Sequence, residues 1–441
     1  MAEESGRSAN KGTMAFAIMV GGVIEWYDFN LFGIASALVF GKLFFPTYST
    51  FAGTLLSFGT FAVAWLARPI GGIVFATIGD RIGRKGVLLT TFMTMGLCTT
   101  VIGALPTYQQ VGVWAPLILV VLRIMQGLAA GGEWSGAASM ALEYAPEGRK
   151  GFFGGFAQIS NPISVVLANA VSIVFYTLPE EDLLAYGWRI PFLVSIVVVF
   201  IGALFRAKVH ETPEFEVEQK KGRLARWPVI EAIRESPRTI GKVFFAVGGM
   251  NAVFWTFATF ALSYAVEQAG YTRTWALIAL MTGAAFEMVA TIPCAALSDR
   301  IGRGRMYGAS MIFFAIGIWP FFWMINQGSN ALLVVAFVIF FGVPHAFSWS
   351  VASSLFTEVF PTRTRYSGSA LPYQLAGTVF GGPLPIVATL LVGAGGGAPW
   401  AFCGLFAVVT VIAGVAAWRL KVGSVAAEPG DQPRGQIAQS L

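Results

Sequence analysis

The pentapeptide Asp-Arg-Ile-Gly-Arg occurs twice, at Asp80–Arg84 and Asp299–Arg303, 219 residues apart (299 minus 80) in a chain of 441. Each copy closes a long apolar stretch, and another apolar stretch starts within a few residues. A second group repeats at nearly the same offset: Glu143, Pro146 and Arg149 correspond to Glu358, Pro361 and Arg363, 215 residues on (358 minus 143). A basic turn duplicated at half the chain length, between apolar runs, points to two parallel repeats of membrane-crossing helices.

Composition leaves no aqueous alternative. The chain is 56% hydrophobic and 12% charged, against about a quarter charged in soluble domains, and its mean hydropathy is +0.69. A spanning helix needs about 20 apolar residues. Cys98, Cys294 and Cys403 sit singly in apolar runs, with no metal-ligand spacing, and read as small core residues. The polar start and the long first apolar run do not fit a cleavable signal peptide. The net charge of +6 is carried by short loops, so it is no sign of nucleic-acid binding.

Hydropathy gives about twelve spans. The first six are expected at 14–40, 50–78, 86–105, 111–142, 151–177 and 187–207. The second six are expected at 240–266, 272–297, 306–326, 330–357, 366–393 and 398–420. The domain organisation follows: a tail at 1–13, a six-helix bundle at 14–207, a polar midpoint loop at 208–239, a second bundle at 240–420 and a tail at 421–441. The fold class is therefore an all-α membrane protein of twelve helices in two pseudo-symmetric bundles. Lys and Arg crowd the even-numbered loops, including Arg81, Arg84, Lys85, Arg149, Lys150, Arg300, Arg303, Arg305, Arg363 and Arg365. Near the odd-numbered loops stand only Lys42, Arg189 and Arg273, with the acidic run Glu180, Glu181, Asp182. The positive-inside rule then puts both termini and the midpoint loop in the cytoplasm. The stretch Gly393–Gly397 is expected to need only flexibility.

Ionisable residues inside spans are costly and mark function or pairing. Glu25 and Asp28 share one face of span 1; Arg68 precedes Pro69 in span 2; Arg123 and Glu133 lie in span 4; Glu287 and His345 lie in spans 8 and 10. At about 1.5 Å per residue, Asp28 and Arg123 both fall near mid-membrane, where carboxylate and guanidinium can meet. Such a pair is either a proton switch that opens and closes with conformation or a static ion pair ordering the bundle. Glu133 can relay a proton or hold Arg68. In the duplicated turns, Gly83 and Gly302 allow a tight bend, while Asp80 and Asp299 can accept from the start of a neighbouring helix. Arg84 can then reach Glu143, and Arg303 can reach Glu358. These contacts would latch an inner gate, with Gly79, Arg81 and Arg300 completing the motif; the plainer reading is a basic loop that only sets topology.

These residues carry a family resemblance. Gly79-Asp80-Arg81-Ile82-Gly83-Arg84-Lys85 resembles the signature loop of the major facilitator superfamily. Over nearly the whole chain, Glu25-Trp26-Tyr27-Asp28-Phe29, Arg68-Pro69-Ile70-Gly71-Gly72, Arg123-Ile124-Met125-Gln126-Gly127 with Gly131-Gly132-Glu133, Gly187-Trp188-Arg189-Ile190-Pro191-Phe192 and Phe360-Pro361-Thr362-Arg363 resemble the metabolite:proton symporter family. That family includes permeases for α-ketoglutarate, citrate, shikimate, and proline or betaine. Trp114-Ala115-Pro116 and the entry to span 6 are most similar to its shikimate branch. The resemblance implies proton-driven uptake by alternating access, with Asp28 and Arg123 in coupling roles; Glu25 and Glu133, from their place in the spans, are further proton-coupling candidates. Glu287 departs from the shikimate branch, which has an apolar residue there, and puts a shikimate-like substrate in question; a second proton site, a site for a cationic group and a neutral hydrogen-bonded acid are the open readings of it.

The central cavity is expected among spans 1, 4, 7 and 10, helped by 2, 5, 8 and 11. It can offer Arg68, Arg123, Gln126, Trp134, Gln158 and Asn161 from the first half. The second half can offer Asn251, Trp255, Thr259, Glu287, His345, Trp349, Tyr373 and Gln374. Arginine recognises carboxylates with paired hydrogen bonds, whereas Trp255 and Trp349 can stack on a ring, cradle a quaternary ammonium or simply pack. The expectation is a proton-coupled importer of a small organic acid in the cytoplasmic membrane. Import of a zwitterionic osmolyte, or a facilitator or antiporter of the same fold, is the alternative. Protons, substrate and lipid are the expected partners, with no cofactor, no metal and a monomeric state. With two histidines, His210 and His345, and no HExxH, P-loop or serine elbow beside a histidine, the chain does not read as an enzyme.

Overall fold

Apolar runs of 19 to 31 residues, broken by glycine, proline and charged turns, fold as helices because in a bilayer only a helix or a closed barrel satisfies its own backbone. The structure, a computed structural model, describes residues 2–82, 84–131, 148–207, 228–361 and 365–420, and among these no strand occurs. Twelve long helices form the body. In the first half they are α1 (Ala2–Leu38), α2 (Thr50–Ile82), α3 (Arg84–Ala104), α4 (Trp114–Ala130), α5 (Lys150–Tyr176) and α6 (Ile190–Ala207). In the second half they are α7 (Pro237–Glu267), α8 (Arg273–Ile301), α9 (Arg303–Ile325), α10 (Asn330–Glu358), α11 (Ser367–Ala394) and α12 (Trp400–Trp418). Outward-facing residues such as Val289, Ile316, Val74 and Trp323 are exposed along the helices, as a lipid boundary requires.

Second-half helices lie within a few residues of the expected spans. Two differences stand in the first half. Helix α1 runs back to Ala2, so the residues expected as a tail are helical. Helix α4 begins at Trp114 and is described to Ala130, and the rest of the expected fourth span lies outside the described residues. The Gly393–Gly397 turn needs more than flexibility: Gly396 and Gly397 have φ of 64° and 94°, a left-handed region that favours glycine. Gly302, at φ 99°, makes the sharp bend between α8 and α9.

Close packing within the first bundle depends on missing side chains. A Cβ at Gly71 would sit 1.9 Å from Leu128 O, and one at Gly127 2.1 Å from Ala64 O, so α2 and α4 touch backbone to backbone. Helices α7, α10 and α11 each contain a π-helical turn, at Thr256–Phe260, Val338–Gly342 and Gly377–Gly381. The turns at Thr256–Phe260 and Gly377–Gly381 widen their helices where they meet α1 and α2 of the first bundle, whereas Val338–Gly342 packs against α8 within the second.

Candidate functional site

At the seam between the bundles, α1, α2 and α4 converge on two arginines. Arg68 is 2% and Arg123 0% exposed. The Arg68 guanidinium carbon lies 4.1 Å from the ring centre of Phe29 and 4.0 Å from that of Trp65. That of Arg123 lies 3.8 Å from Phe32, with Phe29 and Phe61 further out. Ring faces support a buried cation by about 2 kcal/mol when water is excluded, which offsets part of the cost of a charge in the membrane. Arg123 Nη1 donates to Gln126 Oε1 at 3.0 Å and Nη2 reaches Phe61 O at 3.5 Å, while Nε has no acceptor among the described residues. Gln126 donates onward to Thr99 Oγ1 at 2.6 Å, which fixes its carbonyl toward Arg123. Asp28, 2% exposed, and Arg68 both act electrostatically on Arg123. The sequence placed Asp28 and Arg123 at one depth, and the structure adds Arg68 as the second cation of the same cluster. Glu25, 6% exposed, and Arg68 both act on Tyr373 of α11, so that tyrosine belongs to the same neighbourhood.

The second bundle answers with rings and one acid. Trp255 packs edge-on against Phe61, Trp65 and Phe254, with centroids 4.8, 5.7 and 4.7 Å away. Phe341, His345 and Trp349 stack down one face of α10, at 5.0 and 5.4 Å. Their spacing of four residues puts them one above another. His345 Nδ1 lies 2.7 Å from Glu287 Oε1, both side chains being fully buried. Asn251 spends its amide on Val247 O, one turn back.

Polar bonds then stitch the seam. Gln158 Nε2 donates to Trp349 O at 2.8 Å, and Trp349 Nε1 donates back to Gln158 O at 2.7 Å. Gln374 Nε2 donates to Gly131 O at 2.6 Å, and Thr378 Oγ1 to Trp65 O at 2.8 Å. At one end of the molecule, Asp299 Oδ1 accepts from Gly151 N at 2.9 Å and Oδ2 from Phe152 N at 3.1 Å. A carboxylate from α8 therefore caps the first turn of α5 across the seam. Arg303 donates to Asp299 at 3.0 Å and to Glu358, so the second copy of the duplicated motif is one bonded cluster. At the other end, Lys42 Nζ meets Glu180 Oε1 at 2.5 Å and Arg273 meets Glu180 Oε2 at 3.5 Å, while Thr54 donates to Glu267 at 2.8 Å. Bonds from one bundle to the other at both ends make this a closed arrangement.

The Major Facilitator Superfamily profile matches residues 14–371 and 274–441. The chain belongs to the Major Facilitator Superfamily. Within it, the chain is 39% identical over 384 residues to the shikimate transporter of Escherichia coli, covering 86% of this chain and 87% of that protein. It is 31% identical over 391 residues to the proline/betaine transporter of Salmonella typhimurium, covering 85% and 77%. The fold matches a D-xylose–proton symporter with a TM-score of 0.71 at 18% identity, over 92% of this chain and 97% of that one. A partially occluded inward-open form of the xylose transporter from E. coli matches with a TM-score of 0.73 at 17% identity, with the same coverage. The chain is thus a multi-pass membrane transporter and not an enzyme.

Gly83, Gly132, Glu133, Trp134, Glu143 and Arg363 lie outside the described residues, and the side chains of Asp80, Arg81 and Arg84 are outside them too. Gly79 lies in helix α2 and Arg300 in the last turn of α8. Two features of the transporter are not legible in the sequence. Lys42, Glu180 and Arg273 were read as scattered loop charges, yet they form one cluster; opposite signs on loops of the same side were the available signal. Arg189, read as a loop charge and as part of the Gly-Trp-Arg-Ile-Pro-Phe pattern, caps the end of α3 by donating to Gly103 O at 3.2 Å and to Leu105 O.

Proposed function

We propose that the protein is a proton-coupled symporter that imports a small organic acid across the bacterial cytoplasmic membrane by alternating access. The observation that carries this reading is the pair of buried guanidinium groups, Arg68 and Arg123, held on ring faces at the seam, with Arg123 Nε lacking an acceptor among the described residues. A dry site with fixed guanidinium donors suits a carboxylate, which can take two parallel bonds. Asp28 supplies the proton-carrying group: beside Arg123 it stays ionised, and when the cation turns to the substrate it takes up a proton. Glu25 and Glu133 extend that path, Gln126 positions Arg123, and Gln158, Asn251, Trp255, Trp349, Tyr373 and Gln374 shape the cavity. The transporter works with no cofactor besides the proton and acts as a monomer.

In this reading the Asp299 end faces the cytoplasm with both chain termini, as the excess of Lys and Arg on the even-numbered loops supports. Asp299, Arg303 and Glu358 latch the inner gate, and the first motif copy with Glu143 does the same in the other half. The similarity to a shikimate transporter at 39% identity supports an acid over the zwitterionic osmolytes of the relatives at 31%.

The test is uptake into proteoliposomes with an imposed inward proton gradient, using labelled acids and betaines. Acid should accumulate in the wild type, and Asp28→Asn should abolish accumulation while acid–acid exchange persists. Osmolyte uptake without acid uptake would overturn the substrate class, and equal loss of accumulation and exchange in Asp28→Asn would make that residue structural.

A further inference from the structure

We propose that the indole N–H groups of Trp65 and Trp255 donate to the transported acid, one from each bundle, beside the fork of Arg68. This deepens the carboxylate reading above and rests on it. Both residues are 0% exposed, and Nε1 of each is buried with no partner among the described residues. A buried indole hydrogen normally finds an acceptor, and a phenylalanine would fill such a place with no hydrogen to satisfy. The two stand together, with ring centres 5.7 Å apart at 75°. Elsewhere the buried indoles are used differently. Trp349 gives its hydrogen to Gln158 O. Trp188 also lacks an acceptor, but its neighbours are the rings of Phe40, Phe44 and Phe192, and the arginine on its face, Arg189, donates to Gly103 O and Leu105 O.

The pair links the arginines to the second bundle. The Arg68 guanidinium carbon lies 4.0 Å from the centre of the Trp65 ring. Phe29, 5.7 Å from Trp65, touches both cations, Arg68 at 4.1 Å and Arg123 at 5.3 Å. Both indoles also meet the π-helical turn of α11 and the glycine after it. A Cβ at Gly377 would come 2.5 Å from Trp65 Cζ3, and one at Gly382 2.7 Å from Trp65 Cβ, so Trp65 is seated where α11 has no side chains. A Cβ at Gly381 would come 3.6 Å from Trp255 Nε1 and 3.2 Å from Asn251 Oδ1. Thr378 Oγ1 donates to Trp65 O at 2.8 Å and fixes the main chain beneath the ring. The two rings are thus held by shape while their hydrogens stay unspent; even the nearby Asn251 Oδ1 takes neither.

The chemistry of these atoms selects what they meet. Indole nitrogen donates and does not accept. The missing partner must carry lone pairs, which a tetraalkylammonium group lacks. An ionised carboxylate offers about four lone-pair sites, and one arginine fork takes two, so an acid on Arg68 has acceptors left for neighbouring donors. Trp65 belongs to α2 and Trp255 to α7. An acid that enters when the seam parts and accepts from both therefore joins the bundles, and its binding favours closure around it.

The test is calorimetric binding to the purified full-length protein in lipid nanodiscs, with shikimate, 2-oxoglutarate and tetramethylammonium as probes. Trp65→Phe and Trp255→Phe each remove one indole hydrogen and keep an aromatic ring. Replacing Trp65 by benzothienylalanine keeps both fused rings and removes the hydrogen alone. In each variant, the acid that binds wild type should bind about tenfold more weakly, with thermal unfolding reporting that the variant is folded. In spectra of wild type labelled with nitrogen-15 tryptophan, the two indole signals lost in the phenylalanine variants should move downfield when that acid is added. Wild-type affinity in the benzothienyl variant, or in both phenylalanine variants, would overturn the proposal and leave the carboxylate reading standing. Tetramethylammonium binding tighter than either acid would make the rings a cradle for a cation and overturn it as well. If neither acid binds wild type, the carboxylate reading falls and this inference with it.

Discussion

The two bundles share an architecture and divide the chemistry. In the first, Arg68 and Arg123 are cations laid on phenylalanine and tryptophan faces, with Asp28 among them. In the second, the buried ionisable pair is an acid and an imidazole behind stacked rings. Duplication therefore kept what the bilayer demands, helix length and turn, and released what the cavity demands. The ends of the molecule differ in the same spirit. At the Asp299 end the bonding atoms are nearly buried, with Arg303 and Glu358 side chains 11% and 10% exposed. At the Lys42 end the ion pair is wet, with side chains 47% and 51% exposed.

The sharpest way to break the contrast between bundles is Arg123→Lys. It keeps the charge and loses the planar fork, and a lost charged hydrogen bond in a dry site is worth about 1.5–3 kcal/mol. Acid uptake should drop by at least an order of magnitude, and wild-type uptake by this variant would remove the first bundle's claim to the carboxylate. The contrast between ends predicts a smaller effect from Asp299→Asn. An amide can accept from one of Gly151 N and Phe152 N but must turn an N–H toward the other. The Asp299 end should open several-fold more often, read as faster labelling of single cysteines introduced along α5; unchanged labelling would mean that the cap is decorative. The smallest effect belongs to Glu180→Gln at the Lys42 end, worth at most about 1 kcal/mol for exposed pairs. The hydrogen bond from Lys42 holds the Glu180 carboxyl below the usual carboxylate range. The clasp is therefore fully present above that ordinary range and is lost as pH falls through the lowered value. Opening rates at the Lys42 end should be flat from neutral to mildly acidic pH and rise only in stronger acid. A rise near neutrality would assign the dependence to another group.

Much of this was legible before any coordinates. The repeated Asp-Arg-Ile-Gly-Arg set the architecture, because a basic turn between two apolar runs, duplicated at half the chain length, marks two parallel repeats of spanning helices, and counting residues along α1 and α4 put Asp28 and Arg123 at one depth. The sequence was silent where geometry depends on a partner far along the chain. Nothing local marks Thr256–Phe260, Val338–Gly342 or Gly377–Gly381 as π-helical, because the widened turn answers to packing against helices distant in sequence rather than to propensity. Asp299 was expected to cap some helix, but that the helix would be α5 of the other bundle follows only from how the halves meet. Trp255 and Trp349 could be named as cavity residues, yet their use against each other's neighbours required knowing which rings arrive.

The reciprocal bonds between Gln158 and Trp349 give the closed molecule a property of its own. Each residue lends its side-chain hydrogen to the other's main chain, so the two bonds share one geometry and part together when the bundles separate. Their parting turns a carboxamide and an indole N–H, silent while the seam is shut, into donors facing an open chamber. An empty transporter that closes is in this sense occupied by itself, and an arriving acceptor competes with the protein's own backbone for the same hydrogens.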